Sequence, residues 1–146
     1  MVVLSIICEK CKYVCNAMHF QRNFKNWTSG NNDIDKFIQK SQLLAAHDNA
    51  SKALEWVPYG RFYDIKYAAK GGFGKVYKAN WIDGYMIGWD CINQNWERGY
   101  QNTFVILKEL NNSKNITLEF INKVCVNLLF NEILKILIFI NVLLYL

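Results

Sequence analysis

The sequence predicts an α+β fold in which a small antiparallel sheet packs with one long helix and follows a helical leader. Apolar and aromatic residues alternate with polar ones in residues 61–81 and again in Thr103–Leu110, which is typical of strands. Glycines interrupt the first of these stretches, as in a tight turn between strands. Apolar residues recur at helical spacing after Asp33 and after Asn115.

The leader, residues 1–31, carries three of the five cysteines of the chain. Cys8, Cys11, Cys15 and His19 offer four soft ligands, and a Cys-x2-Cys turn is typical of zinc sites. Cys11, Cys15 and His19 are also spaced to share one helix face, so ordinary packing is the alternative. An odd number of cysteines without a secretory signal favours a reducing compartment and predicts a cytoplasmic protein.

Residues 32–60 predict a helical linker. The side chain of Asn32 or of Asp33 is expected to cap the first turn of its helix. A second, short helical stretch is expected near residues 51–56, and Pro58 ends it. The apolar face of the first helix is expected to contain Ile34, Phe37, Ile38 and Leu44.

Residues 61–123 predict a sheet followed by a helix. The first strand turns back through Gly71–Gly74 into a returning strand that ends near Trp81. Residues 82–103 are polar and aromatic and predict either a long loop or a loose hairpin. The third strand is Thr103–Leu110, and a helix is expected from Ile116 onwards.

Two short motifs suggest phosphate chemistry. In Ala69–Val76 the glycines allow a tight turn, and they let backbone N–H groups approach phosphate oxygens that a β-carbon would keep away. In Val105–Lys108 a lysine ends an alternating strand, where its ammonium group can pair with phosphates. Either motif alone is more often a plain hairpin or a solvated lysine, but together they predict a nucleotide site.

The two motifs resemble the first two signatures of protein kinases, G-x-G-x-x-G-x-V and V-A-I-K. The runs Phe24–Gly30, Leu54–Tyr59 and Ala69–Gly74 further resemble an expanded fungal family of tyrosine-kinase-like proteins. Relatives of that kind carry a Cys-rich leader ahead of a kinase domain. The resemblance covers about residues 8–123, and it implies that residues 61–123 are a kinase N-terminal lobe.

The resemblance also implies a ligand and a reaction. The ligand is ATP, with Mg²⁺ expected beside it, and the family activity is phosphoryl transfer to protein Ser, Thr or Tyr hydroxyls. The residues that match the ATP-binding positions are Ala69, Gly71, Gly72, Phe73, Gly74, Val76 and Lys108.

Several positions depart from the kinase pattern. Ala69 replaces the first glycine, and Ile106 replaces the alanine that lies against adenine in kinases. The family pattern implies a helix glutamate at position 123 that pairs with the strand lysine, but the residue here is Lys123. Glu119, one helical turn earlier, is the nearest substitute, and a surface pair with Lys123 is its alternative role.

No H-R-D, D-F-G or A-P-E motif follows position 123. No catalytic residue is therefore assigned, and the chain is expected to be a catalytically incomplete, kinase-like ATP-binding fragment. The alternative is a pseudokinase-type fragment that binds no nucleotide and docks on a protein partner. A zinc-dependent adaptor is a third, weaker hypothesis.

Charge and hydropathy limit the remaining partners. The net charge is +5 without a basic helix or a base-reading motif, so no nucleic acid partner is expected. The tail, residues 124–146, is long enough to cross a membrane, but Asn131, Glu132 and Lys135 would then lie mid-span. An aberrant end of the chain is the favoured interpretation, and membrane association is the alternative.

Overall fold

The computed structural model describes residues 15–45, 50–72 and 74–110, and in them the chain is a mixed α+β protein, as predicted. The helix predicted from Ile116, the positions Glu119 and Lys123, and the apolar tail lie outside the described residues. The described residues form two helices, α1 (Asn16–Asn23) and α2 (Asn32–Ala45), with short 3₁₀ turns at Phe24–Asn26, Ala50–Lys52 and Tyr59–Arg61. The strands are β1 (Phe62–Gly71), β2 (Gly74–Trp81), β3 (Tyr85–Asp90), β4 (Asn95–Gly99) and β5 (Thr103–Leu110).

The strands form two antiparallel sheets in the described residues. One sheet has the order β1-β2-β5, and the other is the hairpin β3-β4. Internal contacts divide the described chain into a helix–hairpin unit, residues 15–56 with 85–99, and a sheet unit, residues 57–84 with 100–110. The hairpin alternative for residues 82–103 is therefore confirmed, and its strands belong with the helices.

Helix α2 begins at Asn32 and is capped by Asn31, so the predicted caps, Asn32 and Asp33, lie one and two positions too late. The Oδ1 atom of Asn31 accepts hydrogen bonds from the backbone N–H groups of Asp33, at 2.9 Å, and of Ile34, at 3.3 Å. Asparagine is a preferred N-cap because its side chain satisfies amides that have no partner within the helix.

The buried face of α2 is narrower than the sequence predicts. Ile34 and Ile38 are buried, Phe37 is half-buried, and Leu44 is 60% exposed. At 3.6 residues per turn, Leu44 lies about 120° around the helix from Ile38, which is at the middle of the buried face, so the prediction for Leu44 is wrong. Gln42 lies on the buried face instead, and its Nε2 donates to the carbonyl of Leu54 at 2.9 Å.

The carboxylate of Asp35 fixes the turn that precedes α2. It accepts hydrogen bonds from the Thr28 hydroxyl at 2.6 Å, from the Ser29 hydroxyl at 2.5 Å and from the Ser29 N–H at 2.8 Å. Burial acts to raise the pKa of Asp35, but these hydrogen bonds outweigh burial and hold its pKa below the ordinary value.

Asp35→Asn is expected to destabilise the helix–hairpin unit by about 1–2 kcal/mol, because an amide accepts fewer and weaker bonds from this turn. Since the pKa of Asp35 is lowered by folding, its contribution is present above the unfolded pKa and is lost as pH falls through the folded one. Urea unfolding at pH 7 and at pH 3 measures both effects. The control is Asp33→Asn, an exposed change of the same charge in the same helical turn. Equal losses for the two variants would contradict the assignment.

Aromatic rings join α1 to the β3-β4 hairpin within the helix–hairpin unit. Phe20 packs on Trp96 with 4.3 Å between ring centroids, and His19 stacks on Trp89 at 3.9 Å. Trp89 and Trp96 meet edge to face at 5.3 Å. An isolated hairpin would expose both of its faces to water. Helix α1 supplies the apolar surface against which one face packs.

The sheet unit has one buried face and one open face. Directly opposite residues on antiparallel strands point to the same side, so the register defines each face. The buried face carries Phe62, Ala79, Trp81, Val105 and Leu107, all less than a tenth exposed. The other side is called the open face below.

The edge strand β1 is bent by two irregularities. Its register with β2 shifts between Tyr63 and Lys66 and again between Tyr67 and Ala69. Asp64, in the first shift, has φ of 52°, a left-handed conformation in which aspartate is one of the tolerated residues. Each extra residue resets the alternation of the strand, so counting by twos along β1 misplaces side chains.

Candidate functional site

Strands β1 and β2 meet at a glycine turn. The last pair of the ladder is Gly71 with Gly74, and Phe73 lies outside the described residues. Gly74 has φ of 148°, which favours glycine. A β-carbon on Gly71 would make an ordinary contact at 3.6 Å, and one on Gly72 would meet nothing within 4 Å. Neither packing nor a positive φ explains the glycine at position 72.

The strand lysine lies beside this turn. Val76 is paired with Ala69 on one side and with Lys108 on the other, so these three residues form one row across the open face. This row is one ladder step from the pair Gly71–Gly74 on the same face. Six of the seven predicted ATP-binding residues therefore cluster at one end of the sheet. The seventh, Phe73, lies outside the described residues.

The row next to it carries three further side chains. Lys78 is paired with Lys66 on β1 and with Ile106 on β5. Lys66 and Lys78 are exposed, while Ile106 and Lys108 are half-buried. Neither Lys66 nor Lys78 was predicted from the sequence as a site residue. Alternation from Val76 would have identified Lys78, but the register shifts of β1 conceal Lys66.

Glu109, the residue after Lys108, lies on the other side of the sheet and has its own partners there. Glu109 accepts a hydrogen bond from the Tyr77 hydroxyl at 2.7 Å and forms an ion pair with Lys75 at 3.6 Å. The bond to Glu109 raises the pKa of Tyr77 to about 12, since it holds the phenol proton in place. Among the described residues no carboxylate lies within 4 Å of the Lys108 ammonium group. Lys108 lies on the opposite side of the sheet from Glu109, on the open face.

The candidate zinc ligands are only partly described. Cys15 is buried in the apolar cluster of the helix–hairpin unit at the start of α1, and His19 lies one turn further on, against Trp89. Burial, together with the charge of Arg22, lowers the pKa of His19, which favours the neutral imidazole. Residues 15–45, 50–72 and 74–110 contain no group of three or more metal-ligating side chains, and Cys8 and Cys11 lie outside them.

The comparisons with known proteins add no relative. Within the part of the chain that the structure describes, no helix is long and apolar enough to cross a membrane. No protein-family model, curated protein or solved structure matches this chain.

Proposed function

We propose that the chain contains a kinase-like ATP-binding module. The observation that carries this proposal is the row of Ala69, Val76 and Lys108 beside a glycine turn. A phosphate needs a cation and a backbone that it can approach closely, and this end of the sheet offers both. The sheet order β1-β2-β5, with the glycine turn between the first two strands, supports the kinase N-terminal lobe as the fold.

The chemistry of the site follows from its parts. Lys108 supplies a positive charge to the phosphate chain, and Gly72 leaves open space where a side chain would otherwise stand. Mg²⁺ would be held chiefly by the phosphates themselves. The module binds and orients the nucleotide, and chemistry on it requires residues from elsewhere.

The pseudokinase-type alternative rests on Ile106. This branched, half-buried side chain lies on the open face, next to the row of Val76 and Lys108. In this second proposal Ile106 fills the space of the adenine, and the fragment docks on a protein partner without nucleotide.

The deciding experiment is a calorimetric titration of the full chain with Mg·ATP, beside the variant Lys108→Ala. We expect Lys108→Ala to bind about 10- to 150-fold more weakly, because a charge-assisted contact contributes about 1.5–3 kcal/mol. Lys40→Ala is the matched control, since it removes an exposed lysine from α2. Absence of binding by a folded wild-type chain would favour the alternative, and equal binding by Lys108→Ala would refute the assignment of Lys108.

A further inference from the structure

The four lysines of the β1–β2 hairpin meet in two directly opposed pairs. Lys66 is opposite Lys78, and Lys70 is opposite Lys75. Directly opposed like charges destabilise an antiparallel pair, and Asp64 is the only acidic residue between positions 62 and 81. The ion pair with Glu109 offsets the charge of Lys75. No such ion pair relieves Lys66 and Lys78 within the described residues.

The unrelieved pair is on the same face as Lys108. Lys78 follows Val76 by two positions on β2, and Ile106 precedes Lys108 by two positions on β5, so both rows face the same side. Neighbouring rows of one face are about 7 Å apart, a distance that long lysine side chains readily span. Lys66, Lys78 and Lys108 together, called the lysine triad below, can therefore converge on one extended anion.

The same face offers little to a purine base. An adenine pocket is expected to be apolar and open, but the position beside Val76 and Lys108 is occupied by the branched side chain of Ile106. Lys78 and Lys66 lie in the same row as Ile106, and the apolar Val76 and Phe104 lie one row away on either side. This face presents positive charge, which pairs with phosphates but not with an uncharged base.

We propose that the lysine triad and the glycine turn recognise a short polyphosphate chain and are indifferent to the base attached to it. This inference rests on the proposed phosphate site and specifies its ligand class. ATP, GTP and inorganic tripolyphosphate are then equivalent ligands, and adenosine is not a ligand. Because recognition is ionic, affinity falls steeply as salt is raised.

The test is a set of calorimetric titrations of the full chain with ATP, GTP, tripolyphosphate and adenosine, each at low and at physiological salt. We expect the three phosphate ligands to bind within about threefold of one another and adenosine not to bind. The double variant Lys66→Ser/Lys78→Ser is expected to bind all three phosphate ligands about tenfold or more weakly than the wild type. Its melting temperature should be unchanged or higher, because the opposed charges are gone.

The matched control is Lys36→Ser/Lys40→Ser, which removes the same charge from exposed positions on α2. If the control weakens binding as much as the double variant, only net charge is at work and the triad is refuted. If ATP binds more than tenfold tighter than GTP and tripolyphosphate, the base is read, and the inference fails while the proposed ATP site stands. If no phosphate ligand binds, the proposed function and the inference fail together.

Discussion

Trp81→Ala is expected to lower the free energy of unfolding of the sheet unit by about 3–5 kcal/mol. Trp81 is 1% exposed and is among the largest fully buried side chains of the described residues. It lies on the buried face of β2, where its ring packs near that of Phe62, with 6.4 Å between centroids. Its loss leaves a cavity that the neighbouring strands cannot fill by small shifts. Urea unfolding followed by circular dichroism measures the effect.

Phe104→Ala is the control for Trp81. Phe104 is on the neighbouring strand β5, points to the open face, and is 54% exposed. Its truncation is expected to change stability by less than about 1 kcal/mol, because much of the ring is already in water. Similar losses for the two variants would mean that the assignment of buried and open faces is wrong.

Gly72→Ala and Gly74→Ala are expected to separate binding from folding. Gly74→Ala should destabilise the hairpin by about 1–3 kcal/mol, since φ of 148° is strained for any residue with a β-carbon. Gly72→Ala should leave stability unchanged, since the added carbon meets nothing within 4 Å. Gly72→Ala should still weaken ATP binding by about tenfold, because the added β-carbon occupies the space through which the phosphates approach the backbone.

Thermal unfolding and ATP titration of both variants, done on the same samples, check this pair. Gly60→Ala is the control, since its added β-carbon also meets nothing within 4 Å and the position is remote in sequence from the turn. Gly72→Ala that binds ATP like the wild type would show that the open space at the turn is not used by the ligand.

Much of the fold could be predicted because its strands and helices keep a regular period. The bounds of β5 match the prediction, and the start of α2 lies within two residues of it, because apolar residues recur in each element at its own period. Residues 82–103 left two alternatives open. The register of β3 and β4 shifts between Met86 and Gly88, which breaks the alternation that identifies a hairpin.

The candidate site was predictable to the extent that alternation is undisturbed. On β2 and β5 the spacing alone brings Val76 and Lys108 to one face, and the register agrees. On β1 it does not, because the shifts around Asp64 and Ala68 decide where Lys66 points. The burial of Cys15 was also beyond sequence reasoning, since its apolar neighbours include Met86, distant along the chain.

The most direct test of the phosphate site is to label the full chain with a lysine-acylating ATP acyl phosphate and map the modified lysines by mass spectrometry. The reagent transfers its acyl group to an amine that lies beside the bound phosphates. We expect acylation to be concentrated on Lys108, with Lys66 and Lys78 next, and excess ATP to protect these lysines. Acylation spread evenly over exposed lysines such as Lys36 and Lys40, without protection by ATP, would contradict this expectation.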